Sequence, residues 1–516
     1  MRKLMVVLTL LGLMLVAGCG GGGGEADSPL DNALGYLPAD APFAVAIDTQ
    51  VESGQYDATR DALERFGVRE QVDELLKILL EGRTGDFERF ERGLGNAFVA
   101  GSPSTRHFVG AQEAGESEDA PVVGAIQLSD EDAVDALVDR KGLEPDGEAH
   151  GAQFYKDELD NSFAIEGDTL IVAGSKAQLE QALETRDSDE RLTEDDFKAA
   201  AEGLPEDALL RFYLDIGAIL RASENSADAL KVKWVDAVRT GGIAFTFDEG
   251  EVTLDVNVNT DPEGLAEADL PIAAGPASPE LLDRQGEAAI ALRDPARLLD
   301  FAQRAGRTVD PDRFGAFLAG RAQIERRLDI DIDDDLLGQL EDDLAITIDP
   351  DGSFGARATL EDPQRFERTL AKLGELLPDL AKGALGERVG FAEPKQGEDF
   401  YALATEDGDS VVFGVVDGAF VLANDASLAG QLAAAGTRAV EGVQGSVVVS
   451  GDAQDLVARF VDRLPIDDLA GLFPKPDRDA MAPLDQLVGS LEASTERLSG
   501  SFRITLDEPP AARADR

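Results

Sequence analysis

An α+β fold built as two related halves, each a mainly antiparallel sheet packed with helices, is predicted by three features of the sequence. Segments of period-two hydrophobicity meet at tight turns, as at Asp248-Glu249-Gly250 and Asp349-Pro350-Asp351-Gly352. A short apolar strand followed by Asp and an amphipathic helix recurs along the chain. Finally, segments repeat in the same order at a spacing of roughly 250 residues or slightly less, the mark of internal duplication. Hairpin turns of this kind favour an antiparallel sheet over a doubly wound parallel one.

From the N-terminus, Arg2 and Lys3 precede an apolar run, Leu4 to Ala17, whose 14 residues suit a secretory signal and fall short of the ~20 needed to cross a bilayer. Val16-Ala17-Gly18-Cys19 closes the run and resembles the bacterial lipobox. The resemblance implies that residues 1–18 are removed and that Cys19, the only cysteine, takes a diacylglycerol and becomes the new N-terminus. Two acyl chains make such attachment durable where one holds a protein only marginally. Residues 19–35, opening with Gly20 to Gly24, form a lipidated flexible tether. No strand precedes these glycines, so they do not make a nucleotide-binding loop.

Residues 36–262 and 281–508 are the two predicted domains, with a Pro-, Ala- and acid-rich linker at 263–280 and a polar tail at 509–516. Gly151-Ala152-Gln153-Phe154-Tyr155 recurs as Gly397-Glu398-Asp399-Phe400-Tyr401, and Asp168 to Ala173 as Gly418 to Ala423, each leading into a helix-like stretch. The strand-Asp units end at Asp48, Asp130 and Asp215 in the first half and at Asp294, Asp362 and Asp452 in the second. An Asp there accepts a hydrogen bond from the first helical turn and meets the positive end of the helix dipole, so all six read as caps. Pro295 and Pro363 follow two of them at the first helical position, where proline fits. Helices are expected over Tyr56 to Leu80 (interrupted near Gly67), Asp132 to Val138 and Gln364 to Leu377. Strands are expected over Ile243 to Phe247 and Val252 to Val258, with a shortened counterpart at Gly500 to Leu506.

The opening Tyr36-Leu37-Pro38-Ala39-Asp40-Ala41-Pro42, the strand-Asp-helix units and the paired halves resemble a bacterial domain-of-unknown-function family of lipoproteins and exported proteins. The resemblance implies location and architecture. It brings no activity and no catalytic residues.

With 47 Lys and Arg against 102 Asp and Glu, the net charge of −55 argues against a nucleic-acid or anionic-lipid binding face. The hydrophobic content of 43% is enough for more than one core, and with one cysteine the fold is held by packing alone. His107 and His150, the only histidines, lie in hydrophilic stretches and no Gly-x-Ser-x-Gly elbow accompanies the serines, so neither a zinc site nor a histidine-dependent hydrolase is expected. Asp329-Ile330-Asp331-Ile332-Asp333-Asp334-Asp335 begins like a calcium loop. It has Asp334 where the loop needs glycine and Leu340 where it needs a bidentate Glu, which leaves weak cation attraction at most and suggests that Asp333 to Asp335 cap a helix over Leu336 to Leu340. Trp234 reads as helix packing, and Tyr155 and Tyr401 as core residues or, alternatively, as a pseudo-symmetric ligand pair.

No catalytic, metal or cofactor residues are therefore assigned, and the one assigned site is the lipidation site Cys19. The expectation is a membrane-anchored extracytoplasmic lipoprotein, on the periplasmic side in a cell with two membranes. It is a non-enzymatic interaction or ligand-binding body whose partners are the membrane, through the anchor, and an envelope protein or ligand. The alternatives are a carboxylate-dependent envelope glycan hydrolase, which needs two acids at catalytic separation, and a hydrophobe or lipid carrier, which needs an apolar cavity.

Overall fold

The computed structural model describes residues 28–48, 54–66, 94–114, 121–128, 138, 143–156, 162–284, 288–349, 351–374, 376, 389–394, 400–405, 410–457 and 481–507. Cys19, the signal segment, residues 20–27 of the tether, Asp130 and nearly all of the helix expected at 132–138 lie outside them. Residues 28–35, expected as the end of a flexible tether, are corrected: Ser28 caps the helix Pro29–Leu34, whose Ala33 and Leu34 are buried in the first-half core. Over the described residues the chain is α+β with one large antiparallel sheet of 20 strands.

Ten strands come from the first half: β1 Phe43–Asp48, β2 Leu94–Gly101, β3 Val123–Leu128, β4 Glu144–Ala149, β5 Ala152–Lys156, β6 Ser162–Glu166, β7 Thr169–Ala173, β8 Leu210–Leu214, β9 Val238–Asp248 and β10 Glu251–Thr260. They lie in the order β4-β5-β6-β7-β3-β2-β1-β8-β9-β10. A two-residue strand β11, Leu281–Leu282, opens the second half and pairs with β19, Thr437–Arg438, outside the main sheet. The other strands are β12 Ala288–Arg293, β13 Leu340–Ile348, β14 Phe354–Leu360, β15 Val389–Ala392, β16 Phe400–Thr405, β17 Ser410–Val416, β18 Ala419–Ala423, β20 Val447–Asp452, β21 Leu484–Ala493 and β22 Arg497–Leu506. Their order is β15-β16-β17-β18-β14-β13-β12-β20-β21-β22. Strand for strand, this is the order of the first half.

The two sets join where β10 pairs antiparallel with β22, from Glu251 opposite Thr505 to Asn259 opposite Arg497. Asp255 faces Ser501 at the centre. Residues 255 and 501 are 246 apart, the same step as from Tyr155 to Tyr401. β22 is as long as β10, so the expected shortened strand is corrected. Its partner β21 was not expected at all, because Gly489 and the polar residues of Leu484–Ala493 blur its period of two.

Alternation gives the sheet two unlike faces. One carries small residues such as Ala44, Ala46, Ala125, Ala164 and Ala173, against which the helices Pro29–Leu34, Lys176–Arg186 and Glu194–Ala200 pack with Leu34, Leu179, Leu183 and Phe197 buried. In the second half Leu428 and Leu432 of the helix Ala426–Ala434 fill the same kind of core with Ala345, Val421 and Ala423. Small side chains let the helices approach the strands closely. The opposite face carries the large residues, and Phe366 and Leu370 of the helix Pro363–Gly374 pack there against Phe413, Phe420 and Tyr401.

Four of the six strand-Asp units end in the expected caps. Asp215 accepts the Ala218 N–H at 2.7 Å, Asp294 that of Arg297 at 3.2 Å, Asp362 that of Arg365 at 2.9 Å and Asp452 that of Asp455 at 3.0 Å. Asp48 ends β1, and residues 49–53 after it lie outside the described set. The helix expected from Tyr56 is described as Gly54–Arg65. Residues 263–280 are packed, with Leu270 and Ala273 buried, and Gly275 donates to the Ala493 carbonyl at 3.1 Å. Arg284 then grips Asp349 in the β13–β14 turn through two bonds of 2.7 Å.

Candidate interaction surface

The residues singled out from the sequence are dispersed. His107 stands exposed in the first turn of the helix Thr105–Glu113, its backbone N–H donating to the Ser104 hydroxyl at 3.3 Å. His150 sits with Gly151 in the β4–β5 turn, both at positive φ, 3.9 Å from Glu184 and 3.8 Å from Asp187. Tyr155 and Tyr401 occupy the second strand from each end of the sheet, and each faces an aromatic on its own neighbouring strand, Phe163 and Phe413. The strand order does not bring them together as a pair. Trp234 meets Phe301 edge-on, with ring centroids 6.5 Å apart.

Three carboxylates of the acidic run 329–335 are committed within the protein. Asp331 caps the short helix Ile332–Asp335 by accepting from the Asp333 and Asp334 N–H groups, Asp333 pairs with Arg321, and Asp335 accepts from Arg365 at 2.6 Å. Asp333 to Asp335 thus form a helix instead of capping one over 336–340, which is a 3₁₀ turn running into β13. The reason is that Asp331, two residues earlier, is free to take the cap. Among the described residues no cluster of three or more His, Cys, Asp and Glu side chains is placed to hold a metal.

Among the described residues, every carboxylate with a displaced pKa is displaced downward. The Arg321 guanidinium lowers Asp333, the Asp331 N–H and Arg365 lower Asp335, Lys233 lowers Asp269, and backbone donors lower Asp261 and Asp351. Such groups stay ionised and favour ion pairing over proton donation. Two depressions lie in the second half. One of about 620 Å³ is lined by Gln339, Glu361, Asp362 and Arg365, and one of about 440 Å³, at the edge with the linker, by Arg293, Arg297, Glu492 and the linker residues Ala273–Gly275. Both are open and predominantly polar.

Burial, then the Glu166 carboxylate 2.7 Å from its hydroxyl, raises the Tyr36 pKa; burial, then nearby aspartates, raises that of Tyr213. A phenol with a raised folded pKa contributes stability that is complete below its unfolded value near 10 and is lost as pH rises past it. Lowered carboxylates contribute above their ordinary value near 4 and lose it as pH falls. The melting temperature should therefore fall on both flanks. The double variant Tyr36→Phe/Tyr213→Phe should flatten the alkaline limb alone, and an unchanged alkaline limb would refute the assignment.

The continuous feature of the molecule is the large-residue face of the sheet. Phe212 and Leu210 of β8 lie opposite Ile243 and Phe245 of β9, which lie opposite Val256 and Leu254 of β10. Across the junction Leu254 faces Phe502 and Val252 faces Ile504, and beyond it Val449 of β20 faces Ile290 of β12. These side chains are half-buried, and Phe212 and Phe245 meet edge-on at 6.1 Å. The intervening residues of β10 and β22 are polar: Thr253, Asp255 and Asn257, then Ser499, Ser501 and Arg503. The sequence showed the alternation of β9 and β10. Its continuation across a junction between strands some 240 residues apart carried no local signal.

No protein-family model and no curated protein matches the chain. Among solved structures, crystal forms III, IV and I of TP0453 show a likeness. The identities are 9%, 9% and 11% and the TM-scores 0.26, 0.26 and 0.25, over 45%, 44% and 45% of this chain and 82%, 80% and 80% of those chains. A likeness this slight carries no argument. Among the described residues no helix is long and apolar enough to cross a membrane.

Proposed function

We propose that this is an extracytoplasmic lipoprotein, held to the membrane through Cys19, whose body is a duplicated, non-enzymatic platform for an apolar ligand or the apolar segment of an envelope partner. The lipobox-like Val16 to Cys19 supports the anchor. The shared strand order of the two halves and the meeting of Asp255 with Ser501 support the duplication. The observation that carries the binding role is the half-buried aromatic and aliphatic face crossing from β8 to β12, because each Å² of apolar surface kept accessible costs roughly 25 cal/mol.

Titration of the full chain with a fluorescent acyl probe tests this reading. The expected result is saturable binding, weakened about tenfold or more by Phe245→Ser/Phe502→Ser in a variant whose circular dichroism is unchanged. Equal binding by parent and variant, or turnover of envelope glycan, would refute it. The anchor is tested separately: Cys19→Ser should release the protein from the membrane fraction.

A further inference from the structure

The helical hairpin Pro295–Val309 and Pro311–Leu328 departs from the rest of the molecule in both charge and exposure. Four of the five large apolar side chains that stand exposed among the described residues are on it: Leu298, Leu299, Val309 and Phe317, the last 59% exposed. The second helix buries no residue at all. In a chain of net charge −55, residues 295–328 hold seven arginines against Asp300, Asp310, Asp312 and Glu325.

Some of those arginines serve the fold. Arg297 pairs with Asp294, Arg321 with Glu325 and Asp333, Arg304 bonds the Ala268 carbonyl, and Arg307 lies over the Phe314 ring. Arg313, Arg326 and Arg327 are exposed and have no carboxylate partner among the described residues. At 100° per residue, Arg313 and Arg327 fall on the same outward arc as Phe317, Ala316 and Gly320. The two helices are fixed to each other at their turn, where Phe314 packs against Gly306 and, at 5.5 Å between centroids, against Phe317. They are fixed to the body by Phe301 against Trp234.

We propose that this hairpin docks on the anionic surface of a bilayer, the exposed Phe317 side chain entering the headgroup boundary and Arg313 and Arg327 beside it meeting lipid phosphates. Surface-lying helices combine these two features, apolar side chains on one arc and cations beside them. The charge of the whole chain argues for a body repelled by such a surface. The hairpin supplies the local exception, and it would orient an anchored body that a tether alone leaves free to tumble.

The test uses the full chain with Phe317→Trp or, as a control outside the hairpin, Phe354→Trp, each read against the parent fluorescence of Trp234. Vesicles contain phosphatidylcholine with brominated acyl chains, with or without phosphatidylglycerol. The Phe317→Trp fluorophore should be quenched and blue-shifted with phosphatidylglycerol, and the Phe354→Trp fluorophore should not. Neutralising the two arginines on that arc, Arg313→Gln/Arg327→Gln, removes two cations and should weaken partitioning by about twenty-five-fold, at roughly fivefold per charge. These residues are exposed, so the melting temperature should stay unchanged. Equal quenching at both positions, or none at either, would overturn the proposal. A blue shift that needs no vesicles and grows with protein concentration would also overturn it, assigning the face to a second copy of the chain. Loss of acyl-probe binding by the sheet face would leave this result untouched.

Discussion

Phe154→Ala is expected to destabilise the first half by about 3–5 kcal/mol, read as a fall in the urea midpoint. The ring is 1% exposed in the core beneath β5, with the Lys176 ammonium 5.1 Å from its centroid. That ammonium is itself held by Asp146, so the wall above the ring cannot readily collapse into a cavity. Phe400 occupies the matching place in the repeated Phe-Tyr motif but is only partly buried against its cluster. Phe400→Ala should therefore cost clearly less. Equal losses at the two positions would show that the cores are packed alike and that the difference in burial has no energetic weight.

Val256→Pro is expected to strike the junction between the halves. β10 has β9 on one side and β22 on the other, so the amide of every residue in it is committed to one neighbour. Proline removes that donor, and the carbonyl left unpaired costs roughly 1–3 kcal/mol before any steric strain. The contrast is Pro145, accommodated at a register shift in the outer strand β4. Because the junction couples two sets of ten strands, the variant should unfold in two steps by circular dichroism where the parent unfolds in one. A single transition at the parent midpoint would show that β10–β22 pairing contributes little to coupling.

The parts legible in the sequence were those decided by neighbouring residues. Asp248 to Gly250 made a hairpin because Gly250 takes a positive φ of 76° at no steric cost, and four strand-Asp units capped their helices because cap and amide lie three residues apart. β4, reading Glu-Pro-Asp-Gly-Glu-Ala, has no apolar period and is a strand only because β5 offers it an edge. The pairing of β10 with β22 and the exposure of Phe317 were equally illegible. Both depend on which surfaces the completed sheet leaves over, and Phe317 in particular looks like an ordinary core residue of an amphipathic helix until its helix is seen to bury no residue.

The central register of the junction has a consequence for chain length. A polypeptide ending near residue 262 would present β10 as a bare edge, and bare edges recruit further strands. The strand most like its proper mate is another β10, and in the same register Asp255 would then confront Asp255, two like charges directly opposite. In the intact chain Ser501 takes that place and removes the repulsion. Carrying β10 and β22 in one chain thus replaces a self-association that is electrostatically opposed with an intramolecular closure that is not.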